Sequence, residues 1–191
     1  MTKVCLVRHG ETDWNTRGIL QGVQDTILNA QGRVQAEATG IYLAENHTDF
    51  DMLITSSLHR AKETATIINR HLHLPFQEVD AFRERSFGDA EGLSVEERQH
   101  KYPNEDFPGQ EAESEFYERV VQGFQHIATK YKNQHILLIS HGLVINLILS
   151  LILQEEVNYK QTGLLNGCIN HIQFIKPTWQ VNNINMIEHL S

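Results

Sequence analysis

Cysteine is nearly absent from this chain: there are two in 191 residues, Cys5 and Cys168, each inside an apolar run. That excludes a disulfide framework and leaves buried thiols as the expectation. Proline is scarce too, at four, and no low-complexity tract, repeat or linker is evident. Long hydrophobic runs are missing. The stretch Leu147 to Leu153, with Ser150 inside it, falls far short of the ~20 residues a membrane span requires. The opening MTKVCLVRHGE meets Arg8 and His9 too soon for a secretion leader. The sequence therefore predicts no membrane association and a cytoplasmic protein, in which Asn46-His47-Thr48 is a chance match to a glycosylation sequon. Positive charge is also short: 16 Lys and Arg stand against 24 Asp and Glu, a formal net charge of -8. A general nucleic-acid binder needs a basic stripe to displace counterions, so that class is excluded. A small anionic ligand is not, because a few local cations can dominate one cleft.

What is present is an ordinary globular composition, 40% hydrophobic and 21% charged, with length for one domain over residues 1–191. Short apolar runs at Lys3–Val7, Met52–Ile54 and His135–Ile139 read as buried strands. Asn29 can cap a helix whose apolar positions are Val34, Ala38, Ile41, Tyr42 and Leu43, with Gly32 and Gly40 as its weak points. Leu58–Leu72 reads as a helix with Ala61, Ala65, Ile68 and Leu72 on one face. Phe82–Gly92 has no sustained period and reads as a loop, and Pro103 and Pro108 break any helix around them. Glu111–Lys132, acidic at its start and basic at its end, reads as a long helix, and Leu143–Leu153 as an apolar one. Cys168–Ile175 and Trp179–Ile187 alternate as two strands of a hairpin joined around Pro177. Strands alternating with helices predict a three-layer α/β/α sandwich with a mostly parallel central sheet and an antiparallel edge strand. That edge can pair with a second copy or be covered, so a homodimer stays open.

In a parallel sheet, ligands collect beyond the carboxyl ends of the strands. Each of the three apolar strands runs into a cation or an imidazole there: Arg8-His9 after the first, Arg60 beyond the second, His141 after the third. Two arginine forks, two imidazoles and the N-termini of the following helices make a site for a small dianion. Phosphoryl transfer needs little beyond such positioning and an in-line nucleophile, a task open to neutral histidine. The pattern does not say which histidine attacks. Glu84, taken alone, reads as a solvated partner of Arg83 or Arg85.

Five stretches in order resemble the histidine phosphatase superfamily, the phosphoglycerate mutase-like family, and in particular its small broad-specificity phosphatases. They are Val7-Arg8-His9-Gly10-Glu11-Thr12 with Asn15, and Gln21-Gly22 with Asp25 through Gly32. Ser56-Ser57-Leu58-His59-Arg60-Ala61 with Glu63-Thr64-Ala65 follows, then Phe82-Arg83-Glu84 with Phe87-Gly88 and Glu91-Gly92, and last Ser140-His141-Gly142. The resemblance implies that His9 attacks phosphorus and carries the phosphoryl group. It implies that Arg8, Arg60, His141 and Asn15 bind its oxygens, and that Gln21 and Gly22 line the substrate pocket. Glu84 then serves as general acid and later as general base, for which its pKa must be raised. The chain departs from the family in Gln110-Glu111-Ala112, where Gly-Glu-Ser is common, and in Ile27-Leu28 for Pro-Leu. Neither change touches a catalytic position. The implied partner is a small phosphorylated metabolite, with no cofactor.

Three other readings compete. A bisphosphoglycerate-primed mutase usually has an added capping segment that keeps water from phosphohistidine. The short chain here between Glu84 and the long helix, and after the last strand, favours hydrolysis. A silent phospholigand-binding module would lack His9 or Glu84, and both are present. Among 11 histidines, His71 with His73 and His135 with His141 invite a metal, but no compact ligand set at metal spacing is found, so none is expected.

Overall fold

The computed structural model describes residues 1–47, 49–154, 163–175 and 178–191. Thr48 of the sequon and the predicted connection at Pro177 lie outside these.

The central sheet has six strands in the order β3-β2-β4-β1-β5-β6. Strands β1 (Thr2–Arg8), β2 (Met52–Thr55), β3 (Phe76–Glu78) and β4 (His135–Ser140) run parallel. The strands β5 (Ile169–Ile175) and β6 (Thr178–Met186) add an antiparallel margin, the two strands read from the alternation of Cys168–Ile175 and Trp179–Ile187. Helices are α1 (Asp13–Thr16), α2 (Ala30–Asn46), α3 (His59–Leu72), α4 (Val95–Lys101), α5 (Glu113–Lys130) and α6 (Gly142–Leu153). The short strand β3 and helices α1 and α4 were not legible as periodic segments.

The apolar runs of β1, β2 and β4 arise because both faces of the sheet are covered. Successive side chains point to opposite faces. Val4 and Leu6 accordingly join Ile54, Ile136 and Leu138 under Phe116, Val120 and Phe124 of α5 and Ile145 of α6. Cys5 and Val7 join Leu53, Leu137 and Ile139 on the other face, under Leu43 of α2 and Ala61, Ala65 and Ile68 of α3. These two cores are the layers of the expected sandwich.

One face was misassigned. The side of α2 turned inward carries Gly32, Ala36, Thr39, Gly40 and Leu43, while Val34 and Ile41 are exposed. The cause is closeness of approach. A Cβ on Gly40 would lie 2.7 Å from His71 Cδ2 and 3.1 Å from Ile68 Cα of α3. A Cβ on Gly32 would lie 2.1 Å from the Glu11 carbonyl oxygen. The two glycines are contact points rather than weak ones, and Gly32 lets the loop after β1 pass directly against the helix.

Candidate active site

β1, β2 and β4 end on the same edge of the sheet, and the register pairs Arg8 with Ser140 and Thr55 with Ile139. His9 and His141, one residue beyond their strands, therefore emerge side by side, their ring centroids 5.2 Å apart. The loop carrying His9 is pinned by the His9 N–H to the Ser140 carbonyl (3.0 Å) and the Gly10 N–H to Thr64 Oγ1 (3.1 Å). Thr12 then caps α1 in a reciprocal box with Asn15.

The hydrogen bonds of His9 settle its tautomer. Nδ1 lies 2.7 Å from the Gly10 carbonyl oxygen, which can only accept, so Nδ1 carries the hydrogen and Nε2 holds the lone pair. Arg60 Nε donates to that lone pair at 3.2 Å. Burial, reinforced by Arg60 and Arg8, holds the imidazole well below its ordinary range, and it is neutral. Arg60, only 1% exposed, is aimed by the Gly22 carbonyl (2.8 Å) and the Gln24 carbonyl (2.9 Å). Burial pushes its guanidinium down to about 10, still cationic at neutral pH.

Two buried polar atoms here have no partner among the described residues: Arg8 Nε and His141 Nδ1. Arg8 is tethered through its Nη1 to the Leu164 carbonyl. His141 is tethered through Nε2 to Ser56 Oγ at 2.7 Å. An unfilled hydrogen-bonding atom is costly in a buried setting unless a ligand completes it, and here two sit around His9.

Glu84 meets this group from the loop after β3. Its two carboxylate oxygens accept from the backbone N–H of Arg85 (3.1 Å) and Leu143 (3.2 Å). Burial pushes its pKa up, against the opposing pull of Arg60, those amides and Arg8. It is thus not the solvated ion-pair partner that the local sequence suggests.

Arg119 of α5 holds the loop that carries Glu84. It donates to the carbonyls of Ala81 (3.0 Å), Arg83 (2.7 Å) and Glu84 (3.0 Å), and forks onto both oxygens of Glu111. The Glu111 N–H in turn bonds the Ser86 carbonyl at 3.0 Å. Glu91 ties this loop to the Gln21–Leu28 loop by accepting from the N–H groups of Val23 (3.0 Å) and Phe87 (2.9 Å). A cleft of about 740 Å³ opens beside Glu84, between Arg83, Ser86, Val23, Gln110 and Glu115.

The structure thus brings His9, Arg8, Arg60, His141 and Glu84 together. Asn15 and Gln21 stand at the rim of the His9 loop. The Asn15 side-chain oxygen accepts from the Thr12 N–H (3.1 Å) and Asn166 Nδ2 (3.3 Å), and that of Gln21 from Thr26 Oγ1 (2.6 Å). Their amide nitrogens are the donors left to present. Gly22 serves through its carbonyl on Arg60. Sequence reasoning missed the parts played by Ser56, Glu91, Glu111, Arg119 and Asn166. Asn166 Nδ2 donates to the His9 carbonyl (3.0 Å) across 156 intervening residues, and no local pattern signals such a contact. His71 pairs with Glu37 and His135 with Asp49. No metal-binding group of three or more His, Cys, Asp or Glu occurs among the described residues.

The comparison that decides the family is a match of residues 4–187 to the histidine phosphatase superfamily, branch 1. The chain belongs to that superfamily. It is 42% identical to the uncharacterized phosphatase PhoE of Bacillus subtilis, over 100% of this chain and 98% of the relative. It is 30% identical to a metal-independent phosphoserine phosphatase of Arabidopsis thaliana, covering 100% and 84%. Phosphoglycerate mutases dependent on 2,3-bisphosphoglycerate are also among its curated relatives. The solved structure of YhfR from Bacillus stearothermophilus superposes with a TM-score of 0.92 at 24% identity, over 100% of both chains, and shows the shared fold.

Proposed function

We propose that this protein is a metal-independent phosphomonoester hydrolase that works through a phosphohistidine on His9. The observation that carries the reading is the lone pair of His9 Nε2, presented by a neutral, buried imidazole among Arg8, Arg60 and His141. In the first step Nε2 forms a bond to phosphorus as the phosphorus–alcohol oxygen bond breaks, and Glu84 gives its proton to the departing oxygen. Arg8 Nε, Arg60 and His141 Nδ1 hold the equatorial oxygens, which is most of what this chemistry needs. In the second step water attacks phosphorus, its proton passes to the Glu84 carboxylate, and the phosphorus–nitrogen bond breaks. Inorganic phosphate leaves, and both side chains return to their starting states. Asn15 and Gln21 add amide donors at the rim.

The substrate is a small phosphorylated metabolite whose alcohol portion lies in the cleft beside Glu84. Arg83 lines that cleft, and its guanidinium Nε is buried without a partner among the described residues. That supports an alcohol carrying a second anionic group. No helix among the described residues is long and apolar enough to cross a membrane.

The test is phosphate release from a panel of phosphomonoesters in excess chelator, with isomerisation of 3-phosphoglycerate followed in parallel. Release should survive the chelator, and His9→Ala should abolish it in a protein that still unfolds cooperatively. Appreciable activity in His9→Ala would remove His9 from the mechanism. Isomerisation without net release would make the protein a mutase.

A further inference from the structure

His141 matters to this reading only if it offers a hydrogen, because phosphoryl oxygens are acceptors. A neutral imidazole carries one ring hydrogen, on either nitrogen, and its neighbours decide which. Burial, with Arg60, His9 and Arg8 behind it, keeps this ring neutral. The choice is then real.

The neighbour is Ser56, the residue that follows β2. It is 0% exposed and locked to β4 by its N–H on the Ile139 carbonyl at 3.0 Å. Its Oγ lies 2.7 Å from His141 Nε2, and it also accepts the Leu58 N–H at 3.2 Å. A hydroxyl has two lone pairs and one proton. With Leu58 on a lone pair, the proton is free to point at Nε2. The ring hydrogen then belongs on Nδ1, the buried atom without a partner. The opposite tautomer would aim an Nδ1 lone pair at a dianion and leave the serine proton unused.

We propose that Ser56 is a positioning residue for the transfer reaction: its hydroxyl fixes His141 as the tautomer bearing hydrogen on Nδ1, so that a donor stands ready for a phosphoryl oxygen. This rests on His141 being an oxygen ligand. The turn between β2 and α3 thereby does two jobs, since it places Arg60 four residues later.

The direct test is nitrogen-15 NMR of the histidines in the full-length protein, with a His141→Ala sample for assignment. Wild-type His141 should show its hydrogen on Nδ1, and Ser56→Ala should show a mixture of tautomers. Phosphate release from p-nitrophenyl phosphate provides the second measurement. Ser56→Ala should lower kcat by about tenfold to a hundredfold, less than the roughly 10²–10³ lost when a donor is removed outright. In a His141→Ala background the same substitution should cost almost nothing further, because serine acts through that ring.

A wild-type ring with hydrogen on Nε2 overturns the proposal, whether or not Ser56→Ala folds. So does a full Ser56→Ala loss that recurs in the His141→Ala background, since that marks a structural role. A fully active His141→Ala enzyme removes the oxygen ligand itself, and the proposal falls together with the reading beneath it.

Discussion

His9 and Glu84 are driven towards their uncharged forms by the same burial, and each form suits the first step of the proposed mechanism. His9 must be neutral to attack. Its pKa is held well below the ordinary 6.5, so the acid side of the rate profile is displaced downward. Glu84 must be protonated to serve as acid. Its pKa is raised, so that form persists above the usual carboxylate range and is lost as pH climbs. Activity measured as kcat/KM, which reports events up to phosphoryl transfer, should therefore hold beyond the usual carboxylate range and fall as pH climbs further. Its alkaline limb belongs to Glu84. Glu84→Gln should remove that limb and slow an alkyl phosphate by about 10²–10⁴, but slow p-nitrophenyl phosphate much less, because that leaving group hardly needs a proton. Equal losses on the two esters, with the limb intact, would take Glu84 out of the acid role.

At the scale of elements, the departure at Gln110-Glu111-Ala112 acquires a physical meaning. Glu111 stands just outside α5 and pairs with Arg119, so the clamp on the Glu84 loop is kept. Ala112 is the N-cap of α5 and supplies no side-chain hydrogen bond. Glu115 occupies the third helical position, where a serine cap would complete a reciprocal box. Ala112→Ser should stabilise the protein by about 0.5–2 kcal/mol, a rise in Tm of a few degrees for a chain of this size, with kcat unchanged. An unaltered Tm in thermal denaturation would mean that the first-turn carboxylates already satisfy this helix end.

Some elements of this fold are legible in the sequence and others are not. β1, β2 and β4 announce themselves because strands buried on both faces are unbroken apolar runs, and the site is legible because its groups sit at the ends of those runs. α2 misleads because the apolar period marks Val34 and Ile41, whereas its real contacts are glycines, which carry no hydrophobic signal. β3 and α4 are too short to show a period. The orienting residues are hidden for another reason. Ser56 finds His141, Arg119 finds the Glu84 loop and Asn166 finds the His9 loop only after the sheet has assembled, and nothing in the neighbouring sequence encodes the meeting.

Across the whole molecule, a second set of histidines lies away from the catalytic edge, where β1 and β4 begin. The His47 ring lies tilted against His171 with ring centroids 4.8 Å apart, and His135 bonds Asp49 at 2.9 Å, which also takes Lys3 at 3.0 Å. His171 Nε2 is buried with no partner among the described residues. Burial, then the proximity of His47 and His135, pushes His171 down to about 4. The sign follows from linkage. Above pH 6.5 neither the folded nor the unfolded chain protonates this ring, so it is neutral to stability. As pH falls below 6.5 the unfolded chain takes a proton that the folded one refuses until about pH 4, and stability drains away through that window. At pH 5 the loss from His171 is at most about 2 kcal/mol and, with the ring partly exposed to screening solvent, nearer 1 kcal/mol. Urea unfolding at pH 7.5 and pH 5.0 reads it: His171→Phe should narrow the difference in midpoint between the two, while the rate profile set by His9 and Glu84 stays in place. An undiminished acid loss in the variant would assign the penalty instead to the buried imidazoles of the active site.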